Sequence, residues 1–201
     1  MNYFEYGDTE INYLKSKDKK LAAVIDKIGP IKREVIPDLF TALVNSIISQ
    51  QISAKAFATV WQRLLEKVGE INPQALNSLP VEELQGIGIT MRKARYIKNI
   101  ADQILSRSFT LDDLPNLSDG EIIKRLTSLP GVGVWTAEML MIFSLQRKNI
   151  LSWNDLAIRR GIMTLYRHRE LSKERFERYR HRYSPYCSVA SLYLWEISKG
   201  E

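Results

Sequence analysis

The sequence predicts an all-α protein, and three observations support this fold class. Apolar residues recur at helical intervals, small polar residues stand where those runs begin, and glycine or proline stands where they end. No pair of alternating apolar and polar runs flanks an Asn-Gly or Asp-Gly turn, as a β-hairpin would require. We therefore expect a fold built from helices.

The first predicted helices show this pattern clearly. After Pro37, the segment DLFTALVNSIISQ opens on the capping residue Asp38 and spaces its apolar residues at helical intervals. Ser53 then caps the segment AKAFATVWQRLLEKV, which Gly69 ends. Local residues thus predict where each of these helices begins and ends.

The later helices follow the same rules. Pro80 stands near the first turn of VEELQ, and Thr90 caps MRKARYIKNIADQIL. Ser118 begins the Ser-x-x-Glu spacing of a capping box, with EIIKRLTS behind it. The remaining predicted helices are VWTAEMLMIFSLQ, DLAIRRGIMTLY, KERFERYRHR and YCSVASLYLWEIS.

Length and composition limit the class of protein. A chain of 201 residues with 45% hydrophobic residues can form one large domain or two small ones. Its apolar runs fall far short of the roughly 20 residues that span a bilayer, and its first residues contain no apolar signal-peptide core. Cys187 is the single cysteine, which excludes an internal disulfide and a four-thiolate iron–sulfur cluster. We expect an intracellular monomer that does not contact membranes.

The charge balance favours an anionic partner. Lys and Arg exceed Asp and Glu by 29 to 23, which gives a net charge of +6 and a pI near 9.4. The two histidines, His168 and His181, lie in the charged run RHRELSKERFERYRHRY, so the sequence does not favour a histidine triad or a zinc site. That run is either a solvated helix face or a source of diffuse attraction to DNA.

Two segments share a pattern of helix, Gly-x-Gly turn and helix. They are LQGIGITMRKARYI at 84–97 and LPGVGVWTAEMLMI at 129–142. This similarity predicts a central helical subdomain over about residues 38–150, with a hairpin at 122–145. Residues 1–37 and 151–201 would form a second helical subdomain, with a cleft between the two.

The turn at residues 130–134 is suited to an anion. Pro130 ends the preceding helix, Gly131 and Gly133 can take positive φ, and Val134 starts the next helix. Such a turn leaves unpaired N–H groups at the positive end of a helix dipole, which is a ready site for phosphate. The alternative is a plain helix-turn-helix with no ligand.

The string LPGVG between two helices resembles the hairpin of the helix-hairpin-helix DNA glycosylase superfamily. In that family the hairpin is paired with a Gly/Pro-rich loop and a catalytic aspartate. The resemblance implies that the amides of Gly131, Gly133 and Val134 hold a phosphate of damaged double-stranded DNA, without selecting the base. It also implies that a Na⁺ or K⁺ ion could bind the carbonyls of Thr127, Leu129 and Val132.

The same resemblance makes Asp155 the candidate catalytic carboxylate. The family's aspartate follows the hairpin by about two dozen residues, opens a helix, and precedes an aliphatic and then a basic residue. The segment WNDLAIRRG places Asp155 24 residues after Gly131, with Ile158 and Arg159 behind it. Asp155 would stabilise positive charge on the sugar or activate water, and the sequence leaves both roles open. The alternative is a simple helix cap.

Family members that also cut the DNA strand carry a lysine where this chain has Trp135. An indole cannot form a Schiff base, so the resemblance implies an enzyme that cleaves the base–sugar bond with water alone. It would leave an abasic site, would lack lyase activity, and would need no cofactor for catalysis.

The resemblance extends over residues 38–198, where the chain is similar to the compact, all-helical form of the 3-methyladenine DNA glycosylase II branch. Trp135 would form one wall of the base pocket and Tyr186 the other, because aromatic faces attract the positive charge of alkylated purines. Glu138 and Met139 would lie near this pocket, although Glu138 is also compatible with an exposed or structural carboxylate. Core packing is the alternative for the aromatic residues.

A flipped base leaves a gap in the DNA stack that an inserted side chain must fill. Gln51 is the first candidate for this wedge and Gln50 the second, since both lie where the family carries its inserted residue. The alternative is that they are two polar residues at a helix end.

These observations lead to one principal functional hypothesis. The chain is expected to be a monofunctional DNA glycosylase of base excision repair that removes alkylated purines of the 3-methyladenine type. Two alternatives remain open: a glycosylase for deaminated bases such as hypoxanthine, and a non-catalytic helix-hairpin-helix module that binds DNA.

Overall fold

The computed structural model describes residues 2–200, which are mostly helical. A two-residue antiparallel ladder pairs β1 (Asn2–Tyr3) with β2 (Glu34–Val35). The first helices are α1 (Asp8–Lys17), α2 (Lys19–Ile28), α3 (Leu39–Ser49), α4 (Ala54–Val68), α5 (Pro73–Ser78), α6 (Val81–Gln85) and α7 (Met91–Leu105). After a short 3₁₀ turn (Leu114–Asn116) follow α8 (Asp119–Leu126), α9 (Val134–Phe143), α10 (Leu156–Tyr166), α11 (Lys173–Tyr183) and α12 (Cys187–Ser198).

The chain divides into two compact units. Residues 36–140 form one unit, and the segments on either side of them form the other. The second boundary lies within α9, about ten residues before the position that the sequence indicated. The reason is that the last turn of α9 packs with the C-terminal segment, where the Phe143 ring lies 5.5 Å from the ring of Trp195.

Helix caps follow the local sequence closely. The predicted N-caps that the structure confirms are Asp38, Ser53, Thr90 and Ser118. The Thr41 amide donates to Asp38 Oδ1 at 2.7 Å, and Ser118 and Glu121 form the reciprocal capping box. Gly69 ends α4 at a φ of 69°, a conformation that glycine adopts without strain. These elements need little beyond their own residues.

The sequence assigned residues 1–37 to a helical subdomain but did not locate the individual elements within them. Helices α1 and α2 precede the predicted ones, and the ladder is extended by a hydrogen bond from the Phe4 amide to the Arg33 carbonyl at 2.8 Å. Outside this ladder the regular structure of residues 2–200 is helical, which confirms the all-α class. No helix in that described range is long and apolar enough to cross a membrane.

Each unit has its own apolar core. In the unit of residues 36–140, the fully buried side chains include Leu43, Ile47, Leu64, Leu76 and Ile97 from α3 to α7, together with residues of α8 and α9. In the other unit, they include Leu14, Leu21, Ile162, Phe176 and Tyr193 from α1, α2 and α10 to α12, together with the last turn of α9. Burial of these side chains is the main favourable contribution to folding.

Helices α10 and α12 approach so closely that one position must lack a side chain. A Cβ atom at Gly161 would lie closer than 3.0 Å to the carbonyl carbon and oxygen of Leu194. Because these are backbone atoms, no side-chain rotation could relieve the clash. Gly161 therefore sets how deeply α10 seats on α12.

Candidate active site

Asp155 is the N-cap of α10, and both of its carboxylate oxygens accept hydrogen bonds. Oδ1 accepts from the amides of Ala157 and Ile158, each at 2.9 Å. Oδ2 accepts from the indole Nε1 of Trp195 at 3.2 Å. The residue is only 6% exposed. The capping role weighed in the sequence is therefore real, and it leaves the carboxylate fixed in position rather than mobile.

The sequence reasoning did not identify Trp195 as Asp155's partner. The two residues are 40 positions apart, and Trp195 lies in an apolar segment that reads as core. A signal existed, because an indole N–H in a packed helix usually requires an acceptor. The Trp195 ring also packs on Phe143, and the Arg33 guanidinium lies 5.4 Å from the Phe143 ring centroid. Aromatic packing thus helps to hold the donor to Asp155.

The seating of α10 on α12 supports the same hydrogen bond. Gly161 contacts the backbone of Leu194, and Trp195 is the next residue along α12. Asp155 precedes Gly161 on the same helix. The contact between Gly161 and Leu194, the residue before Trp195, therefore helps to set the distance between the Asp155 carboxylate and the Trp195 indole.

The turn before Asp155 is anchored by Trp153. Its ring meets Phe176 edge-on, with centroids 5.2 Å apart, and the Arg159 guanidinium lies 4.9 Å from its centroid. Arg159 in turn donates its backbone amide to the Asp155 carbonyl at 3.1 Å. The backbone at Asp155 is thus held by contacts of Trp153 before it and Arg159 after it.

The predicted hairpin is formed by α8, a turn and α9, which starts at Val134 as expected. Gly131 has a φ of 81°, and a Cβ there would lie closer than 3.0 Å to two ring atoms of Tyr96. Gly133 differs from the expectation because its φ lies outside the left-handed region and a Cβ would meet nothing within 4 Å. Of the two glycines in this turn, only Gly131 occupies a position that a residue with a side chain could not take without strain.

The turn is nevertheless open at the place expected for phosphate. Gly133 is exposed, as is Val134 with a relative exposure of 42%. Both lie at the N-terminus of α9, where the first four amides have no partner within the helix. The turn brings Gly131, Gly133 and Val134 together as the sequence indicated, and their binding of phosphate remains a prediction.

The carbonyls expected to hold a monovalent cation lie in the same turn. Thr127 is the C-cap of α8, and the Leu129 carbonyl accepts the Val132 amide at 3.2 Å. A carbonyl oxygen has a second lone pair, so this bond does not prevent an ion from binding. The cation site remains a prediction.

The two Gly-x-Gly turns do not share one conformation. In the first, Gly86 is right-handed and Gly88 has a φ of 112°, whereas in the second it is the earlier glycine, Gly131, that is left-handed. A Cβ at Gly88 would lie 3.3 Å from the Val60 side chain. The two Gly-x-Gly segments are therefore similar in sequence but differ in backbone conformation and in the residues that they contact.

The predicted pocket residues on α9 differ in exposure. Trp135 is 42% exposed, while Met139 and Glu138 are 9% and 8% exposed. The expectation that Glu138 could be an exposed carboxylate is wrong, because this face of α9 is buried. Tyr186 is half-buried and meets the Tyr13 ring edge-on with centroids 5.2 Å apart. The shared pocket of Trp135 and Tyr186 remains a prediction.

The two candidate wedge residues have different surroundings. Gln51 is exposed and has a φ of 56°, an uncommon conformation for a residue with a side chain. Gln50 is half-buried, and its side-chain Nε2 donates to the Gly131 carbonyl at 3.0 Å. Gln50 is thus engaged with the hairpin whereas Gln51 is exposed, and the insertion of either side chain into DNA remains a prediction.

Metal-binding side chains do not cluster in the described part of the chain. Across residues 2–200, no three or more His, Cys, Asp or Glu residues are grouped so that they could hold a metal ion. Cys187 is buried, and burial raises the pKa of its thiol to about 12. It is thus poorly suited to act as a thiolate.

Comparison with known proteins gives consistent matches. The family model for HhH-GPD superfamily base excision DNA repair proteins matches residues 44–185. DNA-3-methyladenine glycosylase 1 of Schizosaccharomyces pombe is 29% identical over 198 residues, which cover 96% of this chain and 87% of that protein.

Two solved structures are similar over nearly their whole length. A DNA-3-methyladenine glycosidase from Bacillus halodurans has a TM-score of 0.87 and 32% identity, covering 100% of this chain and 94% of its own. An S. pombe 3-methyladenine DNA glycosylase in complex with abasic DNA has a TM-score of 0.82 and 28% identity, with 95% and 97% covered. The fold, the hairpin and the extent of these matches place the chain together with these proteins, and it belongs to the HhH-GPD superfamily of base excision DNA repair proteins.

Proposed function

We propose that this chain is a monofunctional DNA glycosylase that hydrolyses the bond between an alkylated purine and deoxyribose, with Asp155 as the catalytic carboxylate. The observation that carries the proposal is the setting of Asp155: a nearly buried carboxylate held by two backbone amides and an indole N–H. A group fixed in this way needs no rearrangement when charge develops beside it, which is the main requirement of electrostatic catalysis.

The chemistry needs an anion because the departing base takes the bonding electrons with it. Positive charge then builds on the sugar, as in other glycoside cleavages. A carboxylate near C1′ stabilises that charge, and water completes the reaction by forming the C1′–O bond and giving up a proton. Asp155 could also accept that proton, and both roles are compatible with its position at the start of α10.

Trp135 supports hydrolysis by water alone. It occupies the position at which strand-cutting members of the family carry their lysine nucleophile. Because an indole cannot form a Schiff base with the sugar, the expected product is an intact strand with an abasic site.

Alkylated purines are the substrate class that the relatives' names support. The matched proteins from S. pombe and B. halodurans are named as 3-methyladenine enzymes. Trp135 is 42% exposed, and an aromatic ring at this position would attract a cationic base. A deaminated base such as hypoxanthine is the alternative substrate, and it would use the same carboxylate.

A hairpin module that only binds DNA would not need the Asp155 arrangement, so we favour the enzyme. Since its proposed substrate is DNA, we expect the protein to act inside the cell. One chain carries both the hairpin and the carboxylate, so a monomer is sufficient for the reaction.

The test is base release from methylated duplex DNA, compared between the unaltered protein and Asp155→Asn. We expect free 3-methyladenine from the first and at least about a 100-fold lower rate from the variant, the size seen when a group that stabilises transition-state charge is lost. Asn retains a side-chain oxygen for the helix cap, so folding and DNA binding should persist.

Asp102→Asn is the matched control, because Asp102 is an exposed residue of α7 in the other unit. Its rate should equal that of the unaltered protein. Release of hypoxanthine but not of methylated purines would replace the substrate class, and DNA binding without release of either base would support the binding module. Strand cleavage without heat or alkali would refute the monofunctional mechanism.

A further inference from the structure

Gln50 joins two parts of the unit formed by residues 36–140. Its side-chain Nε2 donates to the carbonyl of Gly131 in the hairpin turn at 3.0 Å. Its own backbone carbonyl accepts from the Nζ of Lys93 at 2.6 Å, and the same ammonium donates to the Ile48 carbonyl at 2.9 Å. The end of α3 is therefore tied to α7 through its backbone and to the hairpin through a side chain.

Lys93 is suited to this position. It lies in the first turn of α7, beneath the C-terminal end of α3, where unpaired carbonyls attract a cation. Lys93 is half-buried, and this burial lowers the pKa of its ammonium group. Two hydrogen bonds to main-chain carbonyls fix the backbone one residue before Gln51.

Gln51 is the residue that this anchorage serves. It is exposed and left-handed, and it forms the tip of the turn between α3 and α4. Backbone in this region is strained for a residue with a side chain and persists only where its surroundings enforce it. Here the enforcement comes from the residue immediately before it.

The other end of the link is equally restrained. The Tyr96 ring packs against Gly131 so closely that a Cβ would clash with it. The Gly131 carbonyl accepts from Gln50, so the peptide group between Gly131 and Val132 is fixed. The exposed amides at Gly133 and Val134 follow directly.

We propose that Gln50 is a positioning residue that couples the Gln51 turn to the hairpin, so that the inserted side chain and the phosphate-binding amides act on DNA as one rigid body. The inference rests on the proposed function, in which a base is flipped from a duplex. Unstacking a base meets resistance, and a turn free to yield would transmit little force. The hydrogen bond from Gln50 to the hairpin, which binds the DNA phosphate, would keep the Gln51 turn from moving away from the DNA.

The test measures insertion directly. The DNA is a duplex containing a non-cleavable abasic analogue with 2-aminopurine as its neighbour, whose fluorescence rises when a side chain unstacks it. The variants are Gln50→Met, which keeps the length and removes the donor, and Gln51→Ala, which removes the wedge. Gln62→Met is the matched control, because Gln62 is exposed on α4 and its side chain donates to Glu66.

The unaltered protein and Gln62→Met should give the same fluorescence increase at saturation. Gln51→Ala should abolish most of it, and Gln50→Met should lower the equilibrium for insertion about tenfold, as the loss of a positioned hydrogen bond can do. The double variant Gln50→Met/Gln51→Ala should be no worse than Gln51→Ala alone, because the link acts through the wedge. Gln50→Asn, which is too short to reach Gly131, should repeat the result if Gln50→Met folds poorly.

Normal fluorescence with Gln50→Met, additive losses in the double variant, or no increase with the unaltered protein would each overturn the inference. The assay contains no base to release, so it is independent of catalysis. If insertion depends on Gln50 but methylated DNA loses no base, the proposed substrate fails and the coupling stands. If methylated bases are released but Gln50→Met inserts normally, the proposed substrate stands and the coupling fails.

Discussion

The carboxylate of Asp155 serves folding and chemistry through different atoms. Oδ1 closes the N-terminus of α10, while Oδ2 bonds to the Trp195 indole. A replacement can therefore preserve the cap and still remove the charge, which is why Asn is informative at this position. The partner can be tested in the complementary way, by leaving the carboxylate intact.

Trp195→Phe should slow base excision without abolishing it. The variant keeps an aromatic ring against Phe143 but removes the Trp195 indole that donates to Asp155 Oδ2. A hydrogen bond to a charged group contributes about 1.5–3 kcal/mol, so we expect a single-turnover rate at least about tenfold lower. Affinity for abasic DNA should change little.

Trp61→Phe is the control for this substitution. Trp61 stacks on Phe57 within α4, in the other unit. An unchanged rate for Trp195→Phe would show that the indole hydrogen bond does not position the carboxylate for catalysis. An equal loss in both variants would point to a general effect of removing an indole.

Among the elements, the pair α10 and α12 is the most sensitive to a small change. Gly161→Ala adds one methyl group at a place where the neighbour is backbone. We expect a loss of about 1–3 kcal/mol in the free energy of unfolding, or more if the helices must separate. Urea unfolding measures this directly. Base excision should fall further than stability alone explains, since Asp155 and Trp195 lie on the two helices.

Gly120→Ala makes the same chemical change where nothing lies within 4 Å. Gly120 is in the first turn of α8, so alanine should leave stability equal or slightly higher. Equal effects of the two substitutions would contradict the close approach of α10 and α12.

The elements also show how far sequence reasoning reaches. Asp38, Ser53, Thr90 and Ser118 were predicted as caps because a cap bonds to amides two or three residues away. The hairpin was found for the same reason, as its proline and glycines are contiguous. The bond between Asp155 and Trp195, and the contact between Gly161 and Leu194, depend on which helix faces meet. No local pattern determines which helix faces meet. Gly133, for which the sequence allowed a positive φ, does not adopt one.

At the level of the whole molecule, Asp18 ties the N-terminal helices to the C-terminal ones. Oδ1 caps α2, while Oδ2 accepts from the Tyr166 hydroxyl at 2.5 Å and the Arg182 guanidinium at 2.6 Å. Burial raises the pKa of Asp18, but hydrogen bonds from Tyr166, the Leu21 amide and Arg182 outweigh it and hold the pKa below its ordinary value. The chain's first and last segments are thus joined by one charged group.

This arrangement predicts a loss of stability in acid. Because the folded-state pKa is lowered, the stabilisation is fully present above the unfolded value of about 3.9 and disappears as the pH falls through the folded value. Asp18→Asn should therefore cost about 1–3 kcal/mol at pH 7, because the Asp18 carboxylate is buried and hydrogen-bonded while the side chain of its partner Arg182 is 42% exposed. The difference from the unaltered protein should begin to narrow below about pH 4 and should vanish once the pH has fallen through the lowered folded-state pKa of Asp18, where both proteins carry a neutral group.

Urea unfolding at neutral and acid pH measures this effect, with Asp26→Asn as the control. Asp26 pairs with Lys15 on the surface, where its side chain is 61% exposed, and its loss should scarcely matter. A constant difference between Asp18→Asn and the unaltered protein at all pH values would show that the charge of Asp18 is not what stabilises the fold.

The interrupted order of the two units has a consequence for synthesis on the ribosome. Residues 36–140 are contiguous, so the hairpin and the Gln51 turn can fold as soon as that stretch has emerged. The unit containing Asp155 must wait for α12, since Trp195 is made 40 residues later. A nascent chain can therefore form the hairpin and the Gln51 turn before the Asp155 carboxylate has its Trp195 partner, and a ribosome that stalls between the two leaves a product without that indole.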